Sequence, residues 1–154
     1  MAKTSSGVLL YRKVNEDIQV LLVHPGGPFW SNKDDGAWSI PKGLVEGNED
    51  LKQTGARELN EELGMKIEIN TSDLLDLGSI KMKSGKTVYA FGYKLDIGEI
   101  TTNSNHIEIE WPFKSGKLID IPEIDRAEWF DSETAKVKLN PAQIPFIENL
   151  LKQA

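Results

Sequence analysis

The chain has 154 residues, 39% hydrophobic and 27% charged, with a formal net charge of −6. That is enough for one soluble domain with a real core, and the wrong sign for a general binder of nucleic acid or anionic membrane, although a local basic pocket for a phosphorylated small molecule stays open. The absence of cysteine excludes disulfides, thiolate catalysis and cysteine zinc sites.

The N-terminal apolar run is too short for a signal h-region. No stretch approaches the roughly 20 apolar residues of a membrane span. The expectation is a single cytoplasmic domain over 1–154, monomer or homodimer.

In chain order, "GVLLYRK" (7–13) and "DIQVLLVH" (17–24) predict two strands joined through "VNED". "PGGPFWSNKDDGAWS" (25–39) is a loop by its Pro, Gly, Asn and Asp content, long enough for a binding role. Phe29 and Trp30 stand in this polar loop, where exposed apolar groups suggest a binding lip. Asn48 is the expected cap of a helix, with Glu49 and Asp50 in its first turn and Gly64 as its C′ residue. Strands are expected near 66–70 and 75–83, with a hairpin through "SGK" (84–86) into "TVYAFGYKL" (87–95). Residues 96–105 read as loop, "HIEIEW" (106–111) as a strand, the following stretch as irregular, and "RAEWF" (126–130) as a last strand. A short helix opens at Asp131 or Ser132, and Asn140–Pro141 caps a final one whose first turns Pro145 weakens. Strands in the majority with interleaved helices predict a mixed α/β domain.

The helix carries an anomaly. "RELNEELG" (57–64) places Glu58, Glu61 and Glu62 at its C-terminal end, where the helix dipole disfavours acids by about 0.3–1 kcal/mol each. Glu58 and Glu61 are i,i+3 neighbours, Glu58 and Glu62 i,i+4 neighbours, and like charges at those spacings repel. On a helical wheel the three acids form one band beside the apolar stripe of Gly55, Ala56, Leu59 and Leu63. A hard divalent cation such as Mg2+ or Mn2+ reverses both penalties. Without it, Glu61→Gln or Glu62→Gln is expected to stabilise the protein. Taken alone, the band is equally a solvated glutamate face.

The wider spacing separates the two. "GLVEGNEDLKQTGARELNEELGM" (43–65) resembles the Nudix box, the loop–helix–loop signature of the Nudix hydrolases, at every fixed position. The resemblance implies a Nudix-type α/β/α sandwich with a mixed sheet, and a divalent metal held by the box helix against a pyrophosphate linkage. It implies Glu58 and Glu62 as metal ligands, and Glu61 as a shared ligand or the base that activates water. Arg57 would orient Glu49 and the catalytic acids through ion pairs. Gly43 would let the loop approach closely without a Cβ, its carbonyl joining the metal shell. The family often has a further acid past the box. Glu110, which shares a strand face with Glu108, is the favoured candidate, with Glu49 as another.

Substrate clues are weaker. "WSIPKG" (38–43) resembles the diadenosine and diphosphoinositol polyphosphate branch of the family and puts Lys42 beside the phosphates. "KMKSGK" adds Lys81, Lys83 and Lys86 around a hairpin, able to grip a polyphosphate. Tyr89, Tyr93 or Trp111 is placed to stack on a base, with core packing as the alternative. His24 and His106 lack metal-site spacing and read as structural. The expected activity is hydrolysis of a nucleoside diphosphate linked to X, with diadenosine or related nucleoside polyphosphates favoured. The alternatives are a (d)NTP pyrophosphatase of house-cleaning type and a Nudix-fold module that binds a nucleotide without cleaving it. "NSNHIEIEWPFKSGK" and "EIDRAEWFD" are similar to bacterial MutT-like proteins predicted as NTP pyrophosphohydrolases.

Overall fold

The computed structural model describes residues 3–101 and 104–154. Residues 102 and 103, within the expected loop 96–105, lie outside the described residues, as do 1 and 2.

The element order is β1 (Thr4–Val14), β2 (Asp17–Pro25), β3 (Lys42–Leu44), α1 (Leu51–Leu63), β4 (Leu75–Lys81), β5 (Thr87–Lys94), β6 (His106–Glu110), β7 (Leu118–Pro122), β8 (Ile124–Asp131), α2 (Ser132–Lys138) and α3 (Ile144–Gln153). The main sheet runs β4-β5-β1-β2-β8, with β3 also paired to β1. β1 is parallel to β5 and antiparallel to β2 and β3, so the sheet is mixed.

Alternation along β1 sorts the core into two layers. Val8 and Leu10 point to one face, where Leu59 and Leu63 of α1 cover them. Leu9 and Tyr11 point to the other, where Ala135 of α2 and Phe146, Ile147 and Leu150 of α3 cover them. Burial on both faces explains why "GVLLY" is a continuous apolar run. The helix–sheet–helix order of the expected sandwich is the observed architecture.

Several boundaries differ from expectation. The cap of α1 is Asp50, not Asn48. Asp50 Oδ1 accepts from Gln53 N at 2.8 Å and Gln53 Oε1 accepts from Asp50 N at 3.0 Å, a reciprocal capping box. Glu49 therefore lies outside the helix, free to meet Arg57. Gly64 ends the helix in the left-handed conformation, φ 63°, as expected. Residues 66–70 form no strand. The Asn60 side chain engages both the N–H and the carbonyl of Ile67, so the groups a sheet ladder would need are already used. β4 ends at Lys81 rather than near 83. The stretch expected to be irregular contains β7, which pairs with β6 as a separate two-stranded sheet. Asn140 caps a short 3-10 turn, Pro141–Gln143, before α3 begins. Pro145 then falls in the first turn of α3, where its missing N–H costs no hydrogen bond.

Candidate active site

β3 is only three residues long, but it sets the site. Gly43 pairs with Ser6 and Lys42 with Gly7, which holds the chain against the end of β1. The approach to it is fixed from below. Val8 N donates to Pro41 O at 3.2 Å, and Ile40 N donates to Oε1 of the buried Gln143 at 3.0 Å. α1 crosses the same strand: Ser6 Oγ donates to Leu51 O at 2.6 Å.

Arg57 joins the helix to the loop before it. Its Nε and Nη2 donate to Glu49 Oε2 and Oε1 at 2.7 and 3.0 Å, a two-pronged pair. Nη1 donates to Glu58 Oε1 at 2.8 Å and Glu61 Oε2 at 3.1 Å, and Nη2 reaches Leu44 O at 3.0 Å. The guanidinium holds the Glu49 carboxyl down to about 2, well below the ordinary carboxylate range. The acids in turn push Arg57 further up.

Glu58 and Glu62 lie deeper. Glu58 packs against Gly43 so closely that a Cβ on that glycine would sit 2.0 Å from Glu58 Cδ. Burial raises the Glu58 carboxyl despite Arg57. Glu62 is pushed up to about 8, first by burial and then by the charges of Glu58 and Glu123, against the pull of Lys42. The Lys42 backbone N–H donates to it, but Glu62 Oε2 is buried with no hydrogen-bond partner. An unpartnered buried carboxylate oxygen is costly unless something else occupies it.

Glu62 opens into a cavity of about 270 Å3 that Lys42, Trp30, Met82 and Glu123 also line. Lys86 faces Lys42, and its ammonium is depressed by burial and by that neighbouring charge. Glu123 is the acid that sequence reasoning missed. It stands between β7 and β8, where its carbonyl accepts from Gly26 N at 2.9 Å and its N–H donates to Asn105 O at 2.9 Å.

The other candidates lie elsewhere. Glu110 is not brought to the cavity. Strand alternation sends it to the far face of the β6–β7 hairpin, where it accepts from Lys114 N at 2.8 Å and Gly116 N at 3.1 Å. Lys83 is exposed at the tip of the β4–β5 turn. Tyr89 packs against the α1-side core, and Trp111 meets Phe113 edge-on at 5.2 Å. His24 is 2% exposed, with Nε2 donating to Lys33 O at 2.6 Å and Nδ1 lying 2.8 Å from Asp125 Oδ1, a structural setting. His106 Nδ1 meets Asp120 Oδ2 at 2.9 Å on the hairpin surface.

The donor set suits a hard divalent cation. Glu58 and Glu62 supply oxygens, Gly43 leaves a cradle that a side chain would fill, and Glu62 Oε2 is orphaned. Among the described residues no three acidic or histidine side chains already converge as a complete metal cluster. Mg2+ needs no such cluster, because one or two carboxylates plus water and substrate phosphate complete its shell.

Comparison with known proteins places this geometry. The NUDIX domain model matches residues 1–150. The fold is similar to a C. elegans Ap4A hydrolase in a binary complex (20% identity, 98% of this chain and 96% of that chain, TM-score 0.67). It is also similar to the NUDIX domain of Shewanella oneidensis NrtR complexed with ADP ribose (15%, 99% and 88%, 0.63) and to MutT protein from Methanosarcina mazei Go1 (19%, 99% and 94%, 0.61). No curated protein matches the chain. The chain belongs to the Nudix family, and it is a hydrolase of the class acting on phosphoric anhydride bonds. The family generally uses divalent metal ions. No described helix is long and apolar enough to cross a membrane.

Proposed function

We propose that this chain is a divalent-metal-dependent pyrophosphohydrolase, with dinucleoside polyphosphates such as diadenosine polyphosphates, or related nucleoside polyphosphates, as substrates. One observation carries the proposal: the buried Glu62 carboxylate, with one oxygen unpartnered, opens on a cavity that also holds Lys42 and Glu123. A buried acid with an unpartnered oxygen beside two further carboxylates, Glu58 and Glu123, is unfavourable in a protein built only to fold. It is favourable in one that binds Mg2+ or Mn2+.

Glu58 and Glu62 would hold the metal, with Glu61 near enough on the same helix face to share ligation. Bound there, the ion supplies charge neutralisation at the phosphates and a lowered pKa for attacking water. The remaining chemistry belongs to the chain. Lys42 and Lys86 oppose the negative charge of the polyphosphate. Arg57 fixes the rotamers of Glu49, Glu58 and Glu61 and so acts as a positioning residue. Glu123, which lines the cavity, would take the role expected of Glu110: to accept the proton of the attacking water or to add an oxygen to the metal's shell. Water attack on one phosphorus breaks a P–O–P link and releases two phosphorylated products.

The test compares kcat/KM for a dinucleoside tetraphosphate with that for (d)NTPs in Mg2+ or Mn2+. A higher value for the dinucleotide supports the proposal. Preference for (d)NTPs favours the house-cleaning alternative, and tight binding with no cleavage favours a non-catalytic module.

A further inference from the structure

The β6–β7 hairpin has an apolar face that neither core accepts. Ile107, Ile109, Ile119 and Ile121 alternate onto one side of it, with Glu108 and Asp120 on the other. The two core layers contain none of these isoleucines. Phe113 at the hairpin tip is 69% exposed, Phe29 on the facing loop 42% and Ile107 41%. Exposure of this kind, gathered in one place, marks a binding surface.

The loop and the hairpin are locked to each other. A Cβ on Gly26 would lie 2.1 Å from Pro122 O, and one on Gly27, whose φ is +93°, would lie 2.6 Å from Ile121 Cδ1. Two glycines thus let the loop seat directly on β7. Phe29 meets Trp30 edge-on at 5.0 Å and Phe113 at 6.3 Å, and the Lys33 ammonium lies 4.0 Å over the Phe29 ring. Between loop and hairpin lies a cleft of about 410 Å3, within the size range of small-molecule sites.

This cleft is continuous with the catalytic cavity. Pro25, Trp30 and Glu123 line both. One occupant therefore spans an acidic and cationic end and an aromatic end. We propose that the cleft seats the base of the nucleotide whose phosphates lie in the adjoining cavity, an inference that rests on the hydrolase proposal above. Apart from Glu123 and the Trp30 indole N–H, its side chains carry no hydrogen-bonding group. The base is held by stacking and apolar contact, which every base offers, not by reading its edge. The specificity that follows is a demand for an aromatic ring with weak choice among bases. Continuity of the cleft with the cavity that takes the phosphates makes the small ligand the occupant the geometry favours.

The test uses the whole chain with Ile δ1-methyl NMR labels, titrated in Mg2+ with a methylene-bridged diadenosine tetraphosphate or with inorganic tripolyphosphate. The expected result is ring-current shifts at Ile107, Ile109 and Ile121 with the dinucleotide and none with tripolyphosphate. In steady-state kinetics, Phe113→Ser is expected to raise KM for the cleavable dinucleotide about 10-fold, with kcat and the inhibition constant of tripolyphosphate as a competitor little changed. Shifts confined to other methyls, or equal effects on both ligands, overturn the proposal. So does a dependence of these shifts on protein concentration without ligand, which assigns the face to self-association. The titration needs no turnover: shifts without any hydrolysis would sink the hydrolase proposal and keep the seat, and hydrolysis without shifts would do the reverse.

Discussion

Gly43 and Glu58 are in such close contact that the glycine's missing side chain is the space the carboxylate occupies. Gly43→Ala must therefore expel the end of the Glu58 side chain, which is flexible, and leaves the backbone little disturbed. We expect activity to fall by about 100-fold while the melting temperature moves by less than a few degrees. Kinetics and thermal melts on the same preparation check this. A large loss of stability would mean that Gly43 serves the fold and not the carboxylate.

Glu62 gives the protein a pH signature. Its folded value, about 8, lies above the ordinary glutamate value of about 4.3. The stability it contributes is whole below that unfolded value and is lost as the pH rises through about 8. Metal-free protein should lose stability over that window, and Glu62→Gln should flatten the profile and be the more stable protein near pH 8. Glu61 sits differently: it is exposed and accepts from Arg57 at 3.1 Å, so Glu61→Gln gives up an ion pair. Of the two variants expected from sequence to stabilise, only Glu62→Gln should do so. Mg2+ affinity should rise with pH across the same window, since the ion displaces a proton. Urea melts and calorimetric metal titrations at several pH values check both.

Glu123 and Glu110 make a direct contrast. Glu123→Gln is expected to lower kcat by 10- to 1,000-fold. Glu110→Gln replaces one of the two oxygens that accept from the Lys114 and Gly116 amides with an NH2 donor and is expected to loosen the hairpin tip, seen as faster exchange of at least one of those amides, with kcat within about 3-fold of wild type. The reverse pattern of kcat values would return the role of additional acid to Glu110.

The lysines separate in the same way. Lys86 faces Lys42 beside the cavity, whereas Lys83 is exposed at the turn. Lys86→Met is expected to raise KM about 10-fold or more, and Lys83→Met less than 3-fold. Equal effects would indicate a diffuse attraction of the whole hairpin for polyanions.

What could be read from the sequence follows the range of the interactions. The box helix was legible because its signals are local: the acid band, the apolar stripe and Gly64 fall within a few turns. Its start was misplaced because Asn48 and Asp50 are both good caps, and Gln53, three residues after Asp50, decides between them. β7 was hidden by the turn residues of "PFKSGK" before it, although "LIDIP" alternates as a strand should. The missing strand at 66–70 depends on one side chain, Asn60, taking the backbone of Ile67. Glu123 carries no local mark at all. It reaches the cavity because Gly26 and Asn105, distant in sequence, clamp its backbone. Lys86 and Lys42, likewise, are neighbours only because β1 lies between β3 and β5.

The most direct measurement is hydrolysis by wild type and Glu62→Gln of a panel of dinucleoside polyphosphates, (d)NTPs, ADP-ribose and diphosphoinositols, with Mg2+ or Mn2+ and again with chelator. The account predicts turnover led by a dinucleoside polyphosphate, lost on chelation and reduced at least about 100-fold in the variant. Equal turnover by wild type and variant, or turnover of nothing on the panel, would contradict it.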